Sequence, residues 1–296
     1  MKYSLLVLPI LFFQYCRAQT ADKIKTNIDD NTLLWEVNGK GLSKPSYLFG
    51  TFHLMCKDDI HFSDNLKKAV EQSQEIYFEM DLDDPANTLG AIFFINMKDG
   101  KKLKDLYSPE DYSRVEHFFK DSLQTGMMML EKMKPNFLQA LLYPKMMPCK
   151  NMSGVEEEIM KLAKSGKKQI RGFETVEFQS AVFDSIPYED QARDLLHMID
   201  SIPEYSRYFD TMLNVYKTQQ LSALQKMFSD PQFNMDEKSQ ETLLDKRNVD
   251  WVLQLKKILP EKNIFIAVGA GHLVGDKGLI ALLKKEGYAL RALDNK

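Results

Sequence analysis

Apolar and polar positions fall into short strand-like runs near both ends of the chain and follow a helical period through its middle. Residues 31–38 (NTLLWEVN) and 46–50 (SYLFG) flank a turn-forming stretch at 39–45 and predict a β-hairpin. Ser63 opens a helix to about residue 73 with Leu66, Ala69 and Val70 on its apolar face, and residues 76–82 (IYFEMDL) predict the next strand. From about 101 to 259 the pattern is helix after helix. Ser108-Pro109-Glu110-Asp111 supplies a capping serine, an N1 proline and an acidic first turn, and Ser153 with Glu156 repeats the capping-box spacing. Residues 167–173 (KKQIRGF) interrupt this block as a strand, after which 187–200, 203–228 and 240–259 resume helical periodicity. The last segment returns to strand (263–268, NIFIAV), helix (279–285) and strand (288–293).

Strand, Gly-x-x-His-Leu, helix, strand therefore occurs twice: YLF, GTFHL, LKKAVEQ, IYFEMDL, then FIAV, GAGHL, LIALLKK, YALRALD. The expectation is an α/β fold, with a central mixed sheet formed from two related β-α-β halves and a large helical insertion at about 101–259 between them. No linker rich in Pro, Gly or Ser divides it, so residues 19–296 read as a single domain.

Composition adds a compartment and removes some partners. Lys2, the apolar run at 5–13 and Cys16-Arg17-Ala18 predict a secretory signal peptide over residues 1–18, hence a periplasmic or extracellular protein. A lipid anchor on Cys16 is the second reading, disfavoured by the bulky Phe13-Gln14-Tyr15 before it. No later run approaches the roughly 18 to 20 apolar residues of a spanning helix. A formal net charge of -3 offers no field for nucleic acid or an anionic membrane. Cleavage leaves Cys56 and Cys149, for which a disulfide and two buried thiols both stand, with a ligand role for Cys56 a third reading.

In α/β sheets ligands gather where strands end at their carboxyl edge, and both His53 and His272 follow a strand by one Gly-x-x turn. Imidazole suits metal ligation and proton transfer equally. His61, His117 and His197 lie in a loop or in helices and read as solvated or partly packed. Alternation puts Glu79 and Asp81 on one face of their strand, and Glu79 is the foremost carboxylate. Glu174 and Glu177 follow the isolated inner strand; an acidic first helical turn explains them without chemistry. Arg247 and Asn248 sit on a helix that could face the site, although an exposed helix arginine is the commoner outcome. No His-Glu-x-x-His helix, Gly-x-Ser-x-Gly elbow or P-loop is present, and the Gly269 to Gly275 segment only superficially resembles a dinucleotide turn.

The ordered set Gly50-Thr51-Phe52-His53, Phe78-Glu79-Met80-Asp81, Gly172-Phe173-Glu174-Thr175, Arg247-Asn248 and Gly269-Ala270-Gly271-His272-Leu273 resembles the TraB/GumN family over nearly all of the mature chain. That family includes the Tiki proteases that act on Wnt proteins and is related to the erythromycin-esterase and ChaN-like folds. The resemblance implies a divalent metal (Mn, Co or Zn) on His53, Glu79 and His272, with Arg247, Asn248 and Glu174 beside it. The expected function is an exported metal-dependent hydrolase acting on a peptide or protein, in which Glu79 activates water and Arg247 stabilises the oxyanion. The alternative is a non-catalytic protein that sequesters a peptide or signal molecule in the same cleft.

Overall fold

A computed structural model describes residues 31–81, 83–85, 94–228 and 237–296. The expected signal peptide and Cys16 lie outside the described residues. The strands are β1 (Leu34–Asn38), β2 (Ser46–Thr51), β3 (Met55–Cys56), β4 (Glu75–Met80), β5 (Met152–Ser153), β6 (Gln169–Glu174), β7 (Ile264–Gly269) and β8 (Ala289–Ala292). Helices of seven residues or more are α1 (Asp64–Gln72), α2 (Pro109–His117), α3 (Val155–Ser165), α4 (Val176–Asp184), α5 (Tyr188–Asp200), α6 (Ile202–Lys217), α7 (Leu221–Phe228), α8 (Lys246–Ile258) and α9 (Leu279–Lys285).

Six strands form one mixed sheet in the order β6-β4-β7-β2-β1-β8. β6, β4, β7 and β2 run parallel, whereas β1 is antiparallel to both β2 and β8. The expected α/β fold and mixed sheet are therefore what the chain adopts. β2 is buried along its whole length and β7 to its penultimate residue, which explains their continuous apolar runs: a central parallel strand is covered on both faces. α1 contributes Leu66, Ala69 and Val70 to the main core, α8 contributes Trp251 and Leu255, and α9 contributes Leu279 and Leu283.

The two β-α-β units are not placed equivalently. β4 closes the first unit beside β7, but β8 closes the second on the far side of β1, because the hairpin strand already occupies the free edge of β2. The insertion between β4 and β7 supplies edge strand β6 and carries a second hydrophobic cluster around Leu103, Val115, Phe119, Leu138, Leu142 and Leu195. Ser108 caps α2 as expected, accepting from Asp111 N–H. Ser153 does not cap α3: Gly154 holds that position, Ser153 belongs to β5, and the Glu156 carboxylate turns toward His53 instead.

The short pair β3–β5 and a Cys56–Cys149 disulfide tie the segment after the first Gly-x-x-His turn to the start of α3. The bridge excludes Cys56 as a metal ligand. Its Cα atoms lie 5.8 Å apart although the cysteines are 93 positions apart in sequence.

Candidate active site

The parallel register brings four strand ends into one row. β2 pairs with β7 through Gly50↔Val268 and Thr51↔Gly269, so both Gly-x-x-His turns leave the same carboxyl edge side by side. Gly50 permits that approach: a Cβ there would lie 3.0 Å from Leu273 Cδ2 and 3.1 Å from Ala270 Cα. β4 lies on the other side of β7 and delivers Glu79, and β6 pairs Glu174 with Met80 at the sheet's edge. Glu79 Oε1 accepts the Gly269 N–H at 2.9 Å, which ties the end of β4 to the start of the second turn.

Both histidines have one nitrogen fixed from behind. Asn248, 1% exposed, donates from Nδ2 to Lys277 O (2.9 Å) and His272 O (3.3 Å), so its Oδ1 faces His272 Nδ1 at 2.7 Å and makes it the protonated nitrogen. His272 Nε2 is then the nitrogen with a lone pair. Desolvation lowers the His272 pKa to about 3, with Arg247 and His53 adding to the effect against the pull of Glu79. His53 Nδ1 donates to Glu156 Oε1 at 2.6 Å, and the Thr51 hydroxyl donates to the same oxygen at 2.5 Å. Desolvation opposes its charge, but the hydrogen bond and charge of Glu156, with Glu79 beyond, raise the His53 pKa to about 9. The ring is crowded on its inner side and open outward, with 73% of the side chain accessible, so solvent has direct access to it.

Arg247 is the hub between the strand ends. Its Nε and Nη2 form a fork on Glu174 (2.9 and 2.8 Å), and Nη2 also reaches Glu79 Oε2 at 2.6 Å. Nη1 donates to Leu243 O at 2.9 Å and to His272 Nε2 at 3.3 Å. Trp251 lies under both groups, 4.9 Å from the guanidinium and 4.5 Å from the His272 ring centroid, and its indole N–H bonds Glu174 Oε1 at 2.8 Å. Burial opposes ionisation of Glu79, yet the charges of His272, Arg247 and His53 and the Gly269 N–H hold its pKa at about 2. Because His272 is itself neutral, the lasting contributions come from Arg247, His53 and that amide.

These contacts change the role expected of Arg247. It is 9% exposed rather than a surface cation, and all five of its N–H groups have partners. It fixes Glu79 and Glu174; no donor is left over for an oxyanion. Glu79, held ionised and bonded at both oxygens, is likewise a weak proton acceptor and a strong anionic anchor.

A Cβ built on Gly269 would lie 3.3 Å from Glu79 Oε1, 3.6 Å from His53 Nε2 and 3.7 Å from His272 Cδ2. The glycine therefore leaves a space onto which both histidines and Glu79 converge. Two imidazoles whose far nitrogens are held by protein oxygens, plus one permanent carboxylate, are donor types that suit Mn, Co or Zn. The donors are not drawn up to metal-binding distance: among the described residues no group of three or more His, Cys, Asp and Glu is closed around a common point. The cation nearest Glu79 is the Arg247 guanidinium, and Glu79 Oε1 lies 3.7 Å from His272 Nε2.

Of the residues singled out by sequence, His53, Glu79, Glu174, Arg247, Asn248 and His272 come together, whereas Glu177 is exposed on the first turn of α4. His61, His117 and His197 are exposed. Sequence reasoning missed Glu156, whose Ser153-x-x-Glu156 spacing has a sufficient local explanation as a cap. It also missed Gln179, which donates to Glu174 (3.0 Å) and Glu79 (3.4 Å), and Trp251, which lies within the helical run 240–259.

Against known proteins, the chain is 24% identical to Metalloprotease TIKI1 of Danio rerio over 92% of its own length and 64% of that protein. It is 36% identical to Metalloprotease TIKI2 of Xenopus tropicalis over 31% of the chain and 17% of the relative, and 36% identical to Metalloprotease TIKI1 of Homo sapiens over 29% and 17%. The chain thus spans less than two thirds of each of these relatives. No solved structure matches it. A match to the TraB/PrgY/gumN family runs from residue 33 to 292, across every strand of the sheet and every residue of the cluster above, and the chain belongs to that family.

Proposed function

We propose that this protein is a metal-dependent hydrolase acting on peptides or proteins, exported by the signal peptide at residues 1–18. The observation that carries the reading is the convergence of His53 Nε2, Glu79 and His272 on the side-chain-free face of Gly269. The relatives are metalloproteases, which agrees with that chemistry. The Cys56–Cys149 bridge suits a compartment where disulfides persist.

His53, Glu79 and His272 would hold the divalent ion. When bound, it supplies Lewis-acid polarisation of a carbonyl and acidification of water. The chain's own residues prepare the site. Asn248 holds His272 in the tautomer whose Nε2 lone pair, facing Arg247 Nη1 at 3.3 Å, would turn to the ion, and Glu156 holds His53 Nδ1–H so that Nε2, on giving up its proton, would be the ligand. Arg247 and Glu174 hold the Glu79 carboxylate at the strand end, ionised at any physiological pH. The exposed face of His53 is where a peptide reaches the cluster.

The test is metal analysis of protein purified without chelator, followed by titration of Mn, Co and Zn. His53→Ala and His272→Ala should each abolish binding, and a peptide library should be cleaved only by loaded protein. Binding that survives both substitutions overturns the metal site. Cleavage that ignores a chelator overturns metal dependence and transfers the chemistry to the His53–Glu156 pair alone.

A further inference from the structure

In the helical insertion, apart from the candidate site, the short helix Met127–Leu130 turns two thioethers outward. Met127 and Leu130 are buried at 7% and 5%, anchoring the turn in the second hydrophobic cluster, whereas Met128 is 93% exposed and Met129 79%. Among the described residues the next most exposed large apolar side chain, Leu253, reaches only 52%. Side chains this bare touch almost nothing of their own protein, so they project from the surface instead of lining a groove.

The chain as a whole carries a net charge of -3, but the immediate surroundings of this tip are basic. Lys102, Lys104 and Lys132 join Met128 and Glu131 around a shallow depression of about 300 Å³. The segment is set in place by its backbone: Leu103, wholly buried between Lys102 and Lys104, donates its N–H to Glu131 O at 2.8 Å. The neighbouring carboxylates are engaged. Glu131 Oε2 accepts the Tyr112 hydroxyl at 2.6 Å, and Asp105 Oδ2 accepts the Lys102 N–H at 3.0 Å. None of the three lysines pairs with a carboxylate among the described residues.

We propose that the Met128–Met129 tip and its collar of Lys102, Lys104 and Lys132 form a peripheral docking point for an anionic lipid bilayer. A projecting apolar pair enters the acyl boundary, and lysines set beside it on flexible stems reach lipid phosphates at headgroup level. The charge selects the partner, since a neutral membrane offers the methionines a surface but gives the lysines nothing to neutralise. Unbranched thioethers suit insertion among irregular chains better than a fixed shape-complementary contact. This surface is separate from the cluster at the sheet edge and does not depend on its chemistry.

The test is co-sedimentation of the full chain with vesicles of pure phosphatidylcholine and of equal parts phosphatidylcholine and phosphatidylglycerol. Any contribution of the apolar run at residues 5–13 is common to every variant compared. The expected result is an excess of binding to the anionic vesicles that salt removes. Each single Lys→Gln change at 102, 104 or 132 should lower that excess by up to about fivefold. Met128→Asp with Met129→Asp should abolish it with an unchanged circular dichroism spectrum, since neither side chain is packed. The proposal is overturned if there is no excess, or if the excess persists in both the methionine and lysine variants. Binding of an acidic soluble protein without any vesicle binding also overturns it, and makes the tip a protein contact.

Discussion

Glu156 Oε1 lies 2.6 Å from His53 Nδ1, joining the N-terminus of α3 to the first Gly-x-x-His turn across 103 positions of chain. Glu156→Gln removes the charge and keeps the shape. The His53 pKa, raised to about 9 by this carboxylate against desolvation, should fall back toward its ordinary 6.5, as a histidine NMR titration would read. The sign for stability follows. With the folded value above the unfolded one, the pair's contribution is complete below pH 6.5 and is lost as pH rises through about 9, so the variant should be less stable than the parent at neutral pH and match it above about pH 9. Metal affinity should drop by about 10- to 100-fold, the usual cost of removing a carboxylate behind a ligating imidazole. An unmoved His53 titration would show that the contact does not exist in solution.

His272 carries the opposite shift, and with it an acid sensitivity. Its pKa is lowered to about 3, first by desolvation, so between pH 6.5 and 3 the unfolded chain takes up a proton that the folded chain refuses. Stability falls with pH over that window, by up to about 1.4 kcal/mol per pH unit. Glu79, lowered from 4.5 to about 2, adds a loss in the same direction below pH 4.5. Urea unfolding of metal-free protein between pH 6 and pH 5, below the window of His53 and above that of Glu79, isolates the histidine, and His272→Asn should flatten the slope there whatever it does to the absolute stability. Parallel slopes for the two proteins would mean that His272 titrates normally.

How much of this was legible in the sequence depended on whether a residue's partner is near it in the chain. The apolar runs of β2 and β7 announce buried strands because their environment is set by the sheet itself, and the matched Gly-x-x-His turns follow from strands that end at one edge. Arg247 was ambiguous for the converse reason. Nothing on its own helix indicates that Glu174 and Glu79, 73 and 168 positions away, arrive from β6 and β4. Glu156 was hidden by a sufficient local explanation, the cap, whereas α3 starts from Gly154 with no side-chain cap. Cys56 and Cys149 could not be paired from spacing, because the β3–β5 contact that brings them together consists of only two register pairs.

Arg247 is a clamp whose loss should be expensive. Arg247→Met leaves Glu79 and Glu174, with side chains 14% and 5% exposed, as buried carboxylates without their cation. A cost of about 3–5 kcal/mol is expected by urea unfolding. Arg247→Lys should recover only part of it, since an ammonium cannot reproduce the fork on Glu174 or reach Leu243 O and His272 Nε2 together. Combining Arg247→Met with Glu174→Gln should destabilise less than the sum of the two single changes, because one of the stranded charges is removed. Additive costs would contradict the clamp.

Gly269→Ala separates the site from the fold. The glycine has φ −49° and ψ 136°, a conformation open to alanine. The added Cβ meets side-chain atoms at 3.3 to 3.7 Å, so small adjustments of Glu79 and His53 accommodate it. The melting temperature should hardly move, while the methyl group fills the space onto which the three donors converge and lowers Mn, Co or Zn affinity by at least about tenfold in calorimetric titration. Gly50→Ala is the contrasting variant. Its Cβ would press on Ala270 Cα at 3.1 Å and Leu273 Cδ2 at 3.0 Å between two central strands, a cost of about 1–3 kcal/mol in stability. If Gly269→Ala bound metal as tightly as the parent, the ion would not sit between His53, Glu79 and His272, and the pairing of the two Gly-x-x-His turns would be a feature of sheet packing alone.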